Sequence, residues 1–359
     1  MSPSATGPMD VTGGFSRSHD ETEPIAAGYP GALLAHLDVS VVVPTYRRPD
    51  MLAACLRALT EQDFPVDRYE IVVCDDGPDE ATRACVAHIA AEQAKRGLTV
   101  RYVPVTRTQG PAGARNAGWQ QARSPVIAFT DDDTLPDPHW LQEGLTAIRQ
   151  GAAAAAGRIV VPLPAVPTDY EADASGLERA EFATANVFVA RSFLTMTGGF
   201  DERFTSAWRE DSDLQFALLQ AGGKIVRANE AVVVHPVRPA RWGVSISQQK
   251  KSQFDALLYK KHPELFKARI RSSPPFLYYL ILCAALAALI GVVIGDTTTM
   301  TLGFVAWLAL TAYFCAIRLR GRDRGLRHIA EMAWTSIPIP FLSIYWRLYG
   351  AVRYKVLFL

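Results

Sequence analysis

The sequence predicts an α/β domain with a mostly parallel central sheet, followed by a C-terminal helical hairpin that crosses a membrane. Three observations predict this. Short β-branched runs alternate with helical patterns from residue 38 onward. Acidic residues stand at the ends of those runs, at Asp75, Asp76 and Asp131 to Asp133. Two apolar stretches, 272–295 and 297–317, carry no charge, and each is long enough to span a bilayer.

The elements follow in order. Residues 1 to about 35 are rich in Ser, Gly, Pro, Thr and acidic residues, without an apolar core of signal-peptide length. They read as a disordered tail, assigned to 1–37. The run "VSVVVPTYRR" (39–48) is a buried strand stopped by Pro44. Met51, Leu52, Cys55, Leu56 and Leu59 then recur at helical spacing. A second strand, 70–74, runs into Asp75 and Asp76, and Gly77 turns the chain into a helix. A third strand is "LTVRYVPV" (98–105), a Gly-rich helix start is "GPAGARNAGWQQA" (110–122), and a fourth strand is "PVIAFTDDD" (125–133).

Composition narrows the partners. The net charge is +1 over 359 residues, and no basic stripe is interleaved with aromatics, so nucleic acid is not an expected partner. Cys55, Cys74, Cys85, Cys283 and Cys315 show no CxxC spacing. They form neither a zinc nor a disulfide framework and fit a reducing compartment. In open parallel sheets, ligands bind beyond the carboxyl ends of the strands. Thr45, Asp75, Asp76 and Asp131 to Asp133 all follow strands and should share one rim. Asp is also a common turn and N-cap residue. Carboxylates gathered on one edge repel one another, however, unless a cation or ligand hydroxyls neutralise them.

The stretches "VVVPTYRR", "IVVCDDGPDEAT", "GPAGARNAG", "FTDDDTLPDPHWL", "GGFDERFTSAWREDSDLQFALLQAGGKI" and "VVVH", in that order, resemble the family 2 glycosyltransferases with the GT-A fold. The resemblance covers roughly residues 38–240 and implies a nucleotide-sugar-binding catalytic domain over 38–243. It implies that Pro44 and Thr45 line the base and ribose pocket, with Arg47 on the same donor side. Asp76, or else Asp75, would contact the nucleobase. Pro78 replaces the Ser usual in that turn. Arg115 looks like the family's Arg near the base and phosphates, where a guanidinium fork suits phosphate. Asp131 and Asp133 match the outer positions of a D-x-D motif. Asp133 would hold Mg²⁺ or Mn²⁺, and Asp131 the ribose or a metal-bound water. Asp132 counts with the donor side but points away from the metal. On an extended chain the outer pair would share a face.

The same resemblance makes Asp211 the general base that takes a proton from an acceptor hydroxyl. Glu210 stands beside it. Acidic residues also simply favour a helix N-terminus. Gly199 belongs to a loop expected to close over the donor sugar, Trp208 stacks on a sugar or packs, and His235 is a further metal ligand or a structural residue. The Q-x-x-R-W motif of processive synthases is absent; "RPARW" (238–242) lacks the leading Gln. This favours transfer of a single sugar.

Residues 244–274 read as a basic amphipathic connector. Phe254, Leu257, Leu258 and Phe266 would turn toward an anionic membrane, and Lys260 and Lys261 would meet lipid phosphate. Two transmembrane helices are expected over 275–318. Basic flanks, among them Lys267, Arg269, Arg318, Arg320 and Arg322, place the catalytic domain in the cytoplasm as part of a multi-pass inner-membrane protein. The segment 319–359 is a basic loop followed by an interfacial amphipathic helix or a third span.

The function expected is inverting transfer of one sugar from a nucleoside diphosphate sugar to a lipid or lipid-linked saccharide. A sugar nucleotidyltransferase would need a Gly-rich basic loop after the first strand, where this chain has "PTYRRPD". A non-catalytic membrane scaffold would not need carboxylates at both Asp131/Asp133 and Asp211.

Overall fold

The computed structural model describes residues 37–271 and 273–358. The expected tail therefore lies, apart from Leu37, outside the described residues. Eight strands form one sheet: β1 (Val39–Thr45), β2 (Tyr69–Asp75), β3 (Thr99–Pro104), β4 (Val126–Phe129), β5 (Leu135–Pro136), β6 (Ala154–Val160), β7 (Val187–Ala190) and β8 (Ile225–Val234). Their order is β3-β2-β1-β4-β7-β6-β8-β5. The pairs β1–β2, β1–β4, β2–β3 and β6–β8 are parallel, while β4–β7, β6–β7 and β5–β8 are antiparallel. Only β5 and β7 run against the others. The order reverses between β1 and β4, and this opens a crevice beyond their carboxyl ends.

The β-branched runs bury both faces. Val41, Val43, Ile71 and Val73 pack under α1 (Pro49–Thr60), α2 (Glu80–Ala94) and α4 (Trp140–Arg149), against Leu52, Leu56, Val86 and Trp140. Val42, Val72, Ile127 and Phe129 face the other way. They meet Ala112, Ala114 and Trp119 of α3 (Pro111–Gln121) and Leu214 and Leu218 of α7 (Glu210–Gln220). Alternate residues are thus committed to opposite cores, which fixes register. In that register Thr45 stands level with Asp75. Two short helices, α5 (Asp169–Ala174) and α6 (Arg191–Thr197), fill the connections around β7.

The connector is organised differently from the sequence expectation. It forms α8 (Val244–Gln248), α9 (Gln253–Lys261) and α10 (Pro263–Arg269). Phe254, Leu257, Leu258 and Phe266 are buried in a core with Phe204 and Phe216 of the α/β domain, not turned toward a membrane. Lys261 pairs with Asp201 at 2.8 Å and Asp213 at 2.7 Å, and Lys260 donates to the Tyr354 carbonyl at 2.8 Å. Both lysines fasten the protein to itself. An apolar stripe on a basic helix satisfies a core as well as a bilayer, so composition alone does not fix its direction.

Two long apolar helices follow, α11 (Phe276–Ile294) and α12 (Thr297–Leu319). At about 1.5 Å per residue they approach or exceed the ~30 Å hydrocarbon thickness. They are not core helices of a soluble domain, because Leu289, Val293, Leu302 and Leu308 are each more than half exposed. They pack closely on each other: a Cβ on Gly303 would lie 2.3 Å from the Ala288 amide nitrogen. The last segment is two helices, α13 (Leu326–Ser336) and α14 (Ile339–Tyr354), broken at Ile337 and Pro338. The 16 residues of α14 are too few to span alone. One of its faces is buried, while Tyr345, Leu348 and Val352 are exposed.

Candidate active site

A cavity of about 260 Å³ opens at the carboxyl ends of β1, β2 and β4. Pro44, Thr45, Asp76, Arg115, the three aspartates 131–133 and His235 all line it. Thr45 donates to Asp132 Oδ2 at 2.8 Å, and Arg48 Nη1 donates to Asp132 Oδ1 at 3.1 Å. Burial pushes the Asp132 carboxyl up to about 6, against the opposing pull of Arg48 and Thr45. Of the adjacent pair Arg47 and Arg48, the donor side takes Arg48 and not the expected Arg47. Arg47 is exposed, with φ of +52° and its guanidinium 5.2 Å over Tyr46. Of the acidic pair after β2, Asp76 reaches the cavity and accepts from the Gly110 amide at 2.9 and 2.7 Å. Asp75 turns aside to Tyr102 Oη at 2.8 Å and the Asp79 amide at 3.2 Å.

Asp131 to Thr134 form a turn, closed by the Thr134 amide on the Asp131 carbonyl at 3.3 Å, instead of the extended chain expected. The turn still brings the outer carboxylates together. Asp131, Asp133 and His235 each offer a ligand atom, and these atoms lie within 4.8 Å of one another. Two hard oxygens and an imidazole suit Mg²⁺ or Mn²⁺. Basic side chains already face these carboxylates. Arg238 Nε is 2.9 Å from Asp133 Oδ2, His235 Nε2 is 3.6 Å from Asp133 Oδ1, and Arg115 Nη2 is 2.8 Å from Asp131 Oδ1. Burial works to raise the Asp131 carboxyl, but Arg115 and His235 outweigh it and hold it below its ordinary value.

Arg115 also joins the cavity to α7. It is buried, and its Nη1 is 3.3 Å from Glu210 Oε1. Burial, with Asp211 adding to it, pushes the Glu210 carboxyl up. Asp211 accepts from the Thr184 hydroxyl at 2.7 Å through Oδ1 and from the Thr184 amide at 3.2 Å through Oδ2. Burial raises its carboxyl too, partly offset by Arg115. A carboxylate moved toward neutral pH, with lone pairs to spare, is a competent proton acceptor.

Two expected site residues stand elsewhere. Gly199 has φ of +74°, and a Cβ there would lie 2.6 Å from Trp119 Nε1. Its close approach is to Trp119 and Asn116 of α3. Trp208 donates to Asp255 Oδ1 at 3.2 Å under the Arg209 guanidinium, and it lines a second cavity. Arg48, Thr184 and Arg238 join the site without a motif that singles them out. Arg238 lies three residues beyond His235 in "HPVR", in a loop without periodicity, so only its charge near the rim could mark it.

Comparison with known proteins identifies the family and the fold. Residues 40–200 match the model for "Glycosyl transferase family 2", and residues 126–318 match that for "Glycosyl transferase family group 2". The second match covers more than half of the chain, which belongs to glycosyl transferase family group 2. The second match runs on through both apolar helices, so they fall within the family pattern. Among family relatives, glycosyltransferase AglE of Haloferax volcanii is 26% identical over 211 residues, covering 56% of this chain and 67% of its own. Validoxylamine A glucosyltransferase of Streptomyces hygroscopicus subsp. jinggangensis is 25% identical, covering 66% of this chain and 64% of its own. Chondroitin synthase of Escherichia coli is 25% identical, and only 43% of it is covered. The chain thus spans about two thirds or less of the length of these relatives. The mannosyltransferase PcManGT from Pyrobaculum calidifontis, solved with GDP-Man and Mn²⁺, shares the fold with a TM-score of 0.53 at 19% identity, with 87% of both chains covered.

Proposed function

We propose that this glycosyltransferase is a membrane-anchored, inverting enzyme. It moves a single sugar from a nucleoside diphosphate sugar to a lipid or lipid-linked acceptor at the cytoplasmic face. The observation that carries the reading is Arg115. One buried guanidinium bonds Asp131 of the metal group and Glu210, the neighbour of Asp211. Donor and acceptor groups thereby share one site.

Asp131, Asp133 and His235 would hold Mg²⁺ or Mn²⁺, which would supply positive charge for the leaving diphosphate. Thr45 and Asp76 orient the nucleoside, while Arg48 and Arg238 add positive charge for its phosphates. Asp211 takes the acceptor hydroxyl proton as the acceptor oxygen bonds the sugar's anomeric carbon. The bond from that carbon to the diphosphate oxygen breaks with its electron pair on the nucleoside diphosphate. Attack opposite the leaving group inverts the anomeric centre. Thr184 holds the Asp211 carboxylate in one orientation throughout.

The GDP-Man and Mn²⁺ complex of the Pyrobaculum neighbour supports a nucleotide-sugar donor and a divalent ion. The exposed hairpin and the Arg-rich 318–327 segment support membrane attachment with the catalytic domain on the cytoplasmic side. The missing Q-x-x-R-W motif supports single transfer. Purified protein should hydrolyse at least one member of a panel of uridine, guanosine and thymidine diphosphate sugars in Mn²⁺ or Mg²⁺, and excess EDTA should stop it. Undiminished hydrolysis in EDTA would sink the metal-dependent reading.

A further inference from the structure

A second cavity, of about 480 Å³, lies across the segment 205–209 from the first. Thr205 and Ala207 line the donor cavity, while Trp208 and Arg209 line the second. One short stretch of chain, leading directly into Glu210 and Asp211, therefore walls both. The opposite wall comes from the apolar helices: Tyr278 of α11, Phe314 and Arg318 of α12, and Ile339 of α14. Tyr278 and Phe314 sit at the ends of α11 and α12 nearest the α/β domain.

The charges in this cavity do not balance. Arg209, Lys251, Arg271, Arg318 and Arg347 face Asp169, Asp173 and Asp255, which leaves a surplus of two positive charges, five against three. Arg209 is paired with Asp255 at 2.7 Å and Arg318 with Asp169 at 2.7 Å. Among the described residues Lys251 has no salt bridge, and its Nζ rests 5.9 Å over the Trp208 ring. Burial pushes the Lys251 ammonium down from its ordinary value, and Glu210 is near enough to pull it back up. Arg271 also lines the cavity. A neutral sugar needs neither a cationic surplus nor a wall of spanning helices. A phosphate on an alkyl chain needs both: cations for the head and an apolar path for the tail.

We propose that this cavity binds the phosphate head of a membrane lipid through Lys251 and Arg271, with the chain leaving past Tyr278 and Phe314, and presents that lipid beside Asp211. The inference rests on the lipid-acceptor reading and names the chemistry of that acceptor, a lipid-linked saccharide whose phosphate is held here while a sugar hydroxyl is left free to reach Asp211. Radiolabelled dodecyl phosphate is the probe, with the full chain in phosphatidylcholine nanodiscs and empty nanodiscs as the baseline. The parent should bind it saturably. Lys251→Gln should weaken binding by about tenfold, the scale of one lost charge-assisted hydrogen bond, and Lys251→Arg should restore most of it. Lys267→Gln makes the same charge change on exposed α10 and should leave binding alone. Dodecanol and inorganic phosphate should each fail to displace the probe. Equal binding by parent, Lys251→Gln and Lys251→Glu overturns the site, as does equal weakening by Lys267→Gln. Displacement by inorganic phosphate at matched concentration makes it a free-phosphate site and overturns the lipid assignment. Binding is read without any donor. A parent that binds the probe at Lys251 yet transfers sugar to no lipid upholds the cavity and refutes the acceptor reading instead.

Discussion

The proposed donor side and the proposed acceptor side of this site are held in place by different means. On the donor side the backbone does the positioning. Parallel register sets Thr45 level with Asp75, and the β1–β4 reversal opens the crevice that Asp131 to Asp133 enter. On the acceptor side, side chains do it. Asp211 rides on the first turn of α7, and α7 is tied to the connector by Lys261 on Asp213 and by His262. The His262 ring nitrogens meet Gln220 Oε1 at 2.8 Å and Asp213 Oδ1 at 3.1 Å. The lesson is that the proposed base is coupled to the segment that leads to the two apolar helices, whereas the proposed metal group is a property of the sheet.

The largest expected effect is on the sheet side. Removing divalent metal with EDTA, or replacing Asp133 with Ala, should lower sugar transfer by at least about 10²-fold, the scale of losing electrostatic stabilisation of a leaving group. Transfer assays with Mn²⁺ add-back check this, and Mn²⁺ should rescue the chelated parent but not the variant. Next comes the connector. Phe254 is 1% exposed between Phe204 and the α9 core. Phe254→Ala should cost about 3–5 kcal/mol of stability, read as a fall in thermal midpoint. A connector lying on the membrane would show almost no change.

A smaller effect tests the sheet itself, at the amino ends of β1 and β2. Buried Glu70 accepts from Ser40 Oγ at 2.7 Å and from Arg123 Nε at 2.9 Å. Burial alone would raise its carboxyl, but Ser40 and Arg123 hold it below the ordinary value. A depressed folded value stabilises the ionised form. The contribution is therefore complete above the ordinary carboxylate range and fades as pH falls through that range toward the folded value. Glu70→Gln should cost about 1–3 kcal/mol at neutral pH, and the gap in midpoint between parent and variant should close on acidification. A gap that widens in acid contradicts the assignment. Smallest of all, Lys260→Gln removes one hydrogen bond to a carbonyl and should cost about 1 kcal/mol or less, with lipid-acceptor transfer at the parent rate.

The same contrast explains what is legible in the sequence. The strands β1 to β4 follow from β-branched runs, and the rim follows from acids placed at their ends, so Thr45, Asp75, Asp76 and Asp131 to Asp133 can be placed there from the order of residues alone, although Asp75 turns aside. Arg47 and Arg48 cannot be told apart that way, because two adjacent arginines in "YRRPD" differ only in which way the turn points them. Arg238 and Thr184 lie in segments with no period to read. Phe254 and Leu257 suit a bilayer on composition because a core and a membrane accept the same side chains. What settles their direction is the apolar surface of Phe204 and Phe216, which is distant in sequence. The break at Pro338 that divides the last segment into two helices is visible as a residue, but its consequence, a 16-residue α14 packed on α9, depends on tertiary contact.

The most direct test of the division between the two sides is nucleotide affinity measured side by side in two variants. GDP and UDP would be titrated in Mn²⁺ into the parent, Asp133→Ala and Asp211→Asn, and sugar transfer would be followed on the same samples. Asp133→Ala should lose metal-dependent nucleotide binding. Asp211→Asn should keep the parent affinity within about twofold while its turnover falls by about 10²-fold or more. If Asp211→Asn loses nucleotide affinity as Asp133→Ala does, or transfers sugar at the parent rate, Asp211 is not the acceptor-side base.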